Sequence, residues 1–172
     1  MKLDDDDFTL FGLPPRMALL RAEIDVRWRQ LQAATHPDRF AAQGGAAQRV
    51  AMQWAVRINQ AHSRLKDPLA RAAYLCEQRG AAIDAERNTA MPTAFLQQQM
   101  QWREALDEAR TLSEVQTIDA GLATAESALQ QDVQRLLDVA NDAPAAAQKV
   151  RAWMFVQRFR RDVSSRLEAL EI

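Results

Sequence analysis

Leu31-Gln-Ala-Ala-Thr-His-Pro-Asp-Arg-Phe40 decides the fold, because His36-Pro37-Asp38 falls between two amphipathic helical patterns and inside neither. Proline lacks a backbone N–H, fixes its own φ and pushes the preceding residue out of the helical region, so a helix has to end at His36. Upstream, Leu20, Ile24, Trp28, Leu31 and Thr35 fall on one helical face. Downstream, Ala47, Val50, Trp54, Ile58, Ala61 and Leu65 do the same. Turning both stripes inward makes a helical hairpin with the tripeptide exposed at its tip. The tip displays three unlike groups: an imidazole that donates, accepts or carries charge, a rigid proline, and a carboxylate suited to an arginine on a partner.

Working outward, Asp67 can cap and Pro68 can open a further helix running through Tyr74. Gly80, the polar stretch Asp84-Ala-Glu-Arg-Asn-Thr89 and Pro92 read as a linker over 81–92, dividing the chain into domains at 1–80 and 93–172. Three more helices follow. They span about 93–110, about 113–140 with Ser113-Glu-Val-Gln116 as a capping box, and about 144–170 after Asn141-Asp142. Val115, Ile118, Leu122, Ala125, Leu129, Leu136 and Ala140 line one stripe; Val156, Phe159, Val163, Leu167 and Leu170 line another. No strand pattern competes, so the expected fold is all-α: a hairpin with short flanking helices, then a three-helix bundle.

Composition sets bounds without naming a function. The 172 residues are 48% apolar with few glycines and prolines, enough for two small cores. No aliphatic run approaches the ~18 to 20 residues that span a bilayer, and the N-terminus lacks the apolar region of a secretory signal, which points to the cytoplasm and away from membranes. The single cysteine, Cys76, excludes an internal disulfide and reads as a small apolar helix residue. Cys76, His36 and His62 are too few and too scattered to hold a cluster or metal, so no cofactor is expected; His62 reads as a packing residue. The formal charge of −1 hides an asymmetry, +6 over residues 16–80 against −4 over 81–172. Arg29 points away from the apolar stripe, with Arg21 and Arg27 flanking it, a basic face fit to steer an acidic partner. The Asp4 to Asp7 run reads as solvated.

The helix after the linker has two apolar faces. Phe95, Trp102, Leu106 and Ala109 form an ordinary core face. The side that should be polar runs Leu96, Met100, Glu104, Glu108, flanked by Gln97 and Gln101, an apolar patch continuing into an acidic one. On the last helix Met154 and Phe155 also lie off the core stripe, so this region is a candidate recognition surface.

Four features in order resemble a J-domain: Phe8-Thr-Leu-Phe-Gly-Leu-Pro14, the helix ending in His36-Pro37-Asp38-Arg39-Phe40, Ile58-Asn59-Gln60-Ala61, and Asp67-Pro68 with Arg71 and Tyr74. Thr93-Ala-Phe-Leu96 and Arg103-Glu-Ala-Leu-Asp-Glu108 extend the resemblance to the HscB type of iron–sulfur-cluster co-chaperone over nearly the whole chain. Thr35 stands where that family often has an aromatic, and Arg39 replaces a common lysine. The resemblance implies a non-enzyme with two partners. One is an HscA-like ATPase chaperone, engaged by His36, Pro37 and Asp38 with Arg27, Arg29 and Arg39. The other is an IscU-like scaffold protein, engaged by Leu96, Gln97, Met100, Gln101, Glu104, Glu108 and Phe155, where the two glutamines replace an apolar and an acidic residue of the family. Two other classes fit less well. The acidic second half opposes a nucleic-acid binder using the basic segment, and a hydrolase using His36 lacks a placed nucleophile. A J-protein with a different client stays open.

Overall fold

The computed structural model describes residues 1–84 and 91–171; they form seven α-helices and one 3-10 helix, with no strand among the described residues. The chain divides into two compact units, Met1–Leu75 and Cys76–Ile172, and the division falls inside a helix. Residues 85–90 of the expected linker lie outside the described residues.

In the first unit, α1 (Asp7–Phe11) is a single short turn that buries Phe8 and Phe11. Asp6 caps it by accepting from the backbone N–H of Phe8 and Thr9, and Gly12 closes it at φ +63°, a conformation that favours glycine. The hairpin consists of α2 (Arg21–Thr35) and α3 (Gly45–Lys66), joined by the 3-10 helix Pro37–Gln43. Ile24 of α2 and Ile58, Ala61 and Leu65 of α3 are all fully buried. Trp28 Nε1 and Gln32 Nε2 both donate to Asn59 Oδ1, at 2.9 and 3.1 Å, bracing one helix against the other. Asp67 accepts from the Leu69 N–H and Pro68 opens α4 (Pro68–Gln78), as the sequence predicts.

Three expectations for this unit need correction. Leu20 precedes α2 as its cap and is 69% exposed, so helical angular spacing does not apply to it. Val50 is 51% exposed: it lies near the start of α3, where its stripe neighbours Ala47 and Trp54 are themselves only half-buried. The aspartate run is not wholly solvated. Asp7 is fully buried, with Arg57 at 2.8 Å and Arg64 at 3.3 Å, and its N–H donates to the Tyr74 hydroxyl at 3.0 Å. Two guanidiniums supply the attraction that offsets its desolvation. Arg57 also donates to the carbonyls of Leu3 and Asp5, which ties the N-terminal segment to α3.

His62 is buried, as a packing residue should be. Its ring stacks on Trp28 at 4.4 Å between centroids, and Nε2 lies 2.7 Å from Asp25 Oδ1. That bond, with help from Arg21, holds the Asp25 carboxyl below its ordinary range.

In the second unit, α5 (Thr93–Glu108), α6 (Leu112–Asp138) and α7 (Ala143–Glu171) surround a core of Ala109, Val115, Leu122, Val156, Phe159 and Val163. Arg160 of α7 bridges Asp119 and Glu126 of α6 at 3.1 and 2.7 Å, and Glu126 also accepts from Trp153 Nε1. Asp142 caps α7 through the Ala145 N–H, with Pro144 in the first turn. The capping box on α6 is Thr111 with Glu114, not Ser113 with Gln116: the Glu114 carboxylate accepts from the Thr111 N–H at 3.0 Å and from the Arg110 N–H at 2.8 Å. The two motifs overlap, and the ionised acceptor makes the stronger bonds. Ala140 lies past the end of α6 and is exposed. Cys76 is fully buried, and burial pushes its thiol up to about 11.

Candidate partner-binding sites

The hairpin tip is built by residues adjacent in the chain. Thr35 ends α2 with its hydroxyl donating back to the Leu31 carbonyl at 2.9 Å. His36 follows in extended conformation, φ −60° and ψ 129°, as the proline after it requires. The same residue caps the 3-10 helix that Pro37 opens. Its Nδ1 accepts from the Asp38 N–H at 3.3 Å and lies 3.5 Å from Asp38 Oδ2. With Nδ1 accepting, Nε2 of a neutral ring carries the proton and is the donor offered outward. The Asp38 side chain is 90% exposed, so the carboxylate stands clear of the fold.

Arg39 is tied back to α2. Its Nη1 donates to the Ala33 carbonyl at 2.8 Å, satisfying one of the carbonyls that α2 leaves open at its end. Arg27 and Arg29 are exposed on α2, whereas Arg21 is paired with Asp25 at 3.0 Å. Among the described residues Arg27 and Arg29 make no ion pair, and with exposed Glu23 counted against them the helix stays basic. Asn59 is a residue to which sequence reasoning assigned no task. Its partners Trp28 and Gln32 sit on the other helix, and no spacing rule links them.

On the second unit, Leu96 is 42% and Met100 70% exposed, with Gln97, Gln101, Glu104 and Glu108 exposed beside them. Phe155 is half-buried on α7. It meets Phe95 edge-on at 5.9 Å, stacks on Phe159 at 6.1 Å, and carries the Arg103 guanidinium over its ring at 5.7 Å. The aromatic cluster thus joins the two helices that hold the predicted residues. Next to it, an open groove of about 360 Å³ runs between α5 and α7, with Leu106, Phe155 and Phe159 among its lining.

Among the described residues no helix is long and apolar enough to cross a membrane, and no group of three or more His, Cys, Asp or Glu is arranged to hold a metal ion.

Comparison with known proteins agrees with this architecture. Residues 91–164 match the family model described as the HSCB C-terminal oligomerisation domain. The co-chaperone protein HscB homolog of Bordetella petrii is 48% identical over 162 residues, 94% of this chain and 95% of that protein. Its counterpart from Burkholderia multivorans is 46% identical over 174 residues, 99% of each chain. Among solved structures, the chaperone HscB from Vibrio cholerae superposes with a TM-score of 0.80 at 28% identity, covering 96% of this chain and 99% of that one. Human co-chaperone protein HscB superposes with a TM-score of 0.90 over the full chain and 86% of its own, a likeness of fold at 20% identity. A hairpin that exposes His-Pro-Asp in the first unit, a helical bundle in the second, and near-half identity across nearly the whole length make this chain a member of the HscB family of J-domain co-chaperones.

Proposed function

We propose that this protein couples two binding events in iron–sulfur cluster assembly. His36, Pro37 and Asp38, steered by Arg27 and Arg29 and held in shape by Arg39, engage an HscA-like chaperone and promote its ATP hydrolysis. Leu96, Met100 and Phe155, edged by Glu104 and Glu108, hold an IscU-like scaffold protein and deliver it. Residues 1–80 act as the J-domain, and 93–172 as the scaffold-binding domain. The observation that carries this reading is the presence, in two separate compact units, of two exposed sets with opposite chemistry: a polar loop, and an apolar patch beside carboxylates.

Asp38 is the anchor of the first set. Its carboxylate is 90% exposed and touches only the His36 ring, at 3.5 Å, so it gives up little when an arginine of the chaperone reaches it. In the second set affinity concentrates in the large apolar groups, while the carboxylates set orientation. Linking both sets in one chain raises the effective concentration of scaffold at the chaperone without any new contact. The bond-breaking step belongs to the chaperone, and the co-chaperone changes its rate by binding alone.

The test is calorimetry of scaffold binding. Leu96→Ala and Phe155→Ala should each weaken it, and His36→Gln should leave it unchanged. A scaffold that binds all of these alike would move its site off this face, and one that binds none, wild type included, would mean that the client is a different protein.

A further inference from the structure

The groove between α5 and α7 contains a cation that the apolar stripe alone does not account for. At about 100° per residue, Arg103 lies within about 60° of both Leu96 and Met100, on the side away from Glu104 and Glu108. Its guanidinium rests over the Phe155 ring, and among the described residues it makes no ion pair, even with Asp107 one turn on. A guanidinium held over a ring face by cation–π attraction still has N–H groups to offer a partner, and the ring keeps the cation at the groove. Beneath it, Leu106, Phe155 and Phe159 form an apolar floor. Asp107 and Asp162 stand further along the rim and repel a carboxylate placed there, so an acidic group entering the groove is confined to the neighbourhood of Arg103 and Arg158.

We propose that Arg103 is a specificity-determining residue of the scaffold surface, reading a carboxylate that lies beside an apolar side chain seated in the α5–α7 groove. This rests on the scaffold reading above and deepens it. Leu96 and Met100 are bracketed by edges of opposite sign: Glu104 and Glu108 on one side take cations, and Arg103 on the other takes an anion. That order fixes the direction in which the partner lies across α5, which an apolar stripe by itself leaves open.

Arg103→Glu, Arg103→Lys and Leu96→Ala in the full chain test this, with helicity checked by circular dichroism and affinity for the cluster-free IscU-like scaffold of the same organism measured by calorimetry. Arg103→Glu should weaken binding about tenfold or more, and Arg103→Lys should lose part of that, because lysine keeps the charge without the fork. The salt dependence of binding should flatten in Arg103→Glu. Binding by Arg103→Glu within about twofold of wild type, with Leu96→Ala clearly weaker, overturns the role of Arg103 and leaves the scaffold reading standing. No loss in any variant overturns both. Sedimentation of the chain alone supplies a further outcome: self-association that disappears in Arg103→Glu while scaffold affinity holds would assign the groove to a second copy and overturn the proposal.

Discussion

The hairpin tip and the α5–α7 face solve the problem of exposure in opposite ways. At the tip, every feature that fixes geometry is local: Pro37 sets the backbone, His36 Nδ1 takes the Asp38 N–H, and Arg39 reaches back to the Ala33 carbonyl. On the face, Phe95 of α5 meets the distant Phe155 of α7, and the exposed α5 residues Leu96 and Met100 are apolar. A polar tip can stand in water at no cost and depends on a few directional bonds. An apolar face costs solvation while free and spreads its energy over many contacts. Single substitutions should therefore act nearly all-or-none at the tip and by degrees on the face.

The largest effect we expect lies away from both and tests whether the tip needs the rest of its unit. Asp7→Ala strands two guanidiniums, and because Arg57 is 20% and Arg64 42% exposed, the loss should sit at the low end for a broken buried pair, about 3 kcal/mol by denaturant unfolding. At low temperature the folded fraction should still stimulate the chaperone, which separates support of the hairpin from the loop's chemistry. At the tip itself, Asp38→Asn should lower coupling to the chaperone ten- to a hundredfold, the equivalent of about 1.5 to 3 kcal/mol for a lost charge-assisted bond, read from ATPase stimulation. On the face, Leu96→Ala should weaken scaffold binding about five- to thirtyfold, about 1 to 2 kcal/mol. If that single change abolished binding outright, the contrast between the two regions would break.

A smaller change bears on how the bundle starts. Thr111→Ala should cost about 1 kcal/mol of stability as a lost cap, while Ser113→Ala should stay within about 0.5 kcal/mol. The smallest effect is on pH dependence. Because the folded-state pKa of Asp25 is depressed by His62 and Arg21, its contribution is present above the unfolded pKa of about 3.9 and is lost as pH falls through the folded value. Asp25→Asn should therefore flatten the acid limb of an unfolding titration.

These contrasts also explain what the sequence could reveal. The helix order, the break at His36, the cap at Asp67 and the start of the last helix after Asn141-Asp142 are all legible, because proline chemistry and helical periodicity act over a few residues. What periodicity and proline chemistry do not reveal is of two kinds, pairings with distant chain and choices between overlapping local motifs. Whether Asp7 faces water or two arginines is decided by α3, more than forty residues on. Two capping-box motifs overlap at the start of α6, and only the Glu114 carboxylate's actual bonds choose between them. For the candidate sites, Leu96 and Met100 could be read as exposed from the helix alone. The position of Arg103 over Phe155 could not, since it requires knowing how α5 and α7 lie together.

Steady-state ATP hydrolysis by the HscA-like chaperone, with and without scaffold, addresses the central claim most directly. Wild-type protein should stimulate it, and scaffold should raise that stimulation further. His36→Gln should abolish both effects, whereas Leu96→Ala combined with Phe155→Ala should retain stimulation and lose only the gain from scaffold. No stimulation by the wild-type chain, or a scaffold gain that survives the double substitution, would contradict the two-site account.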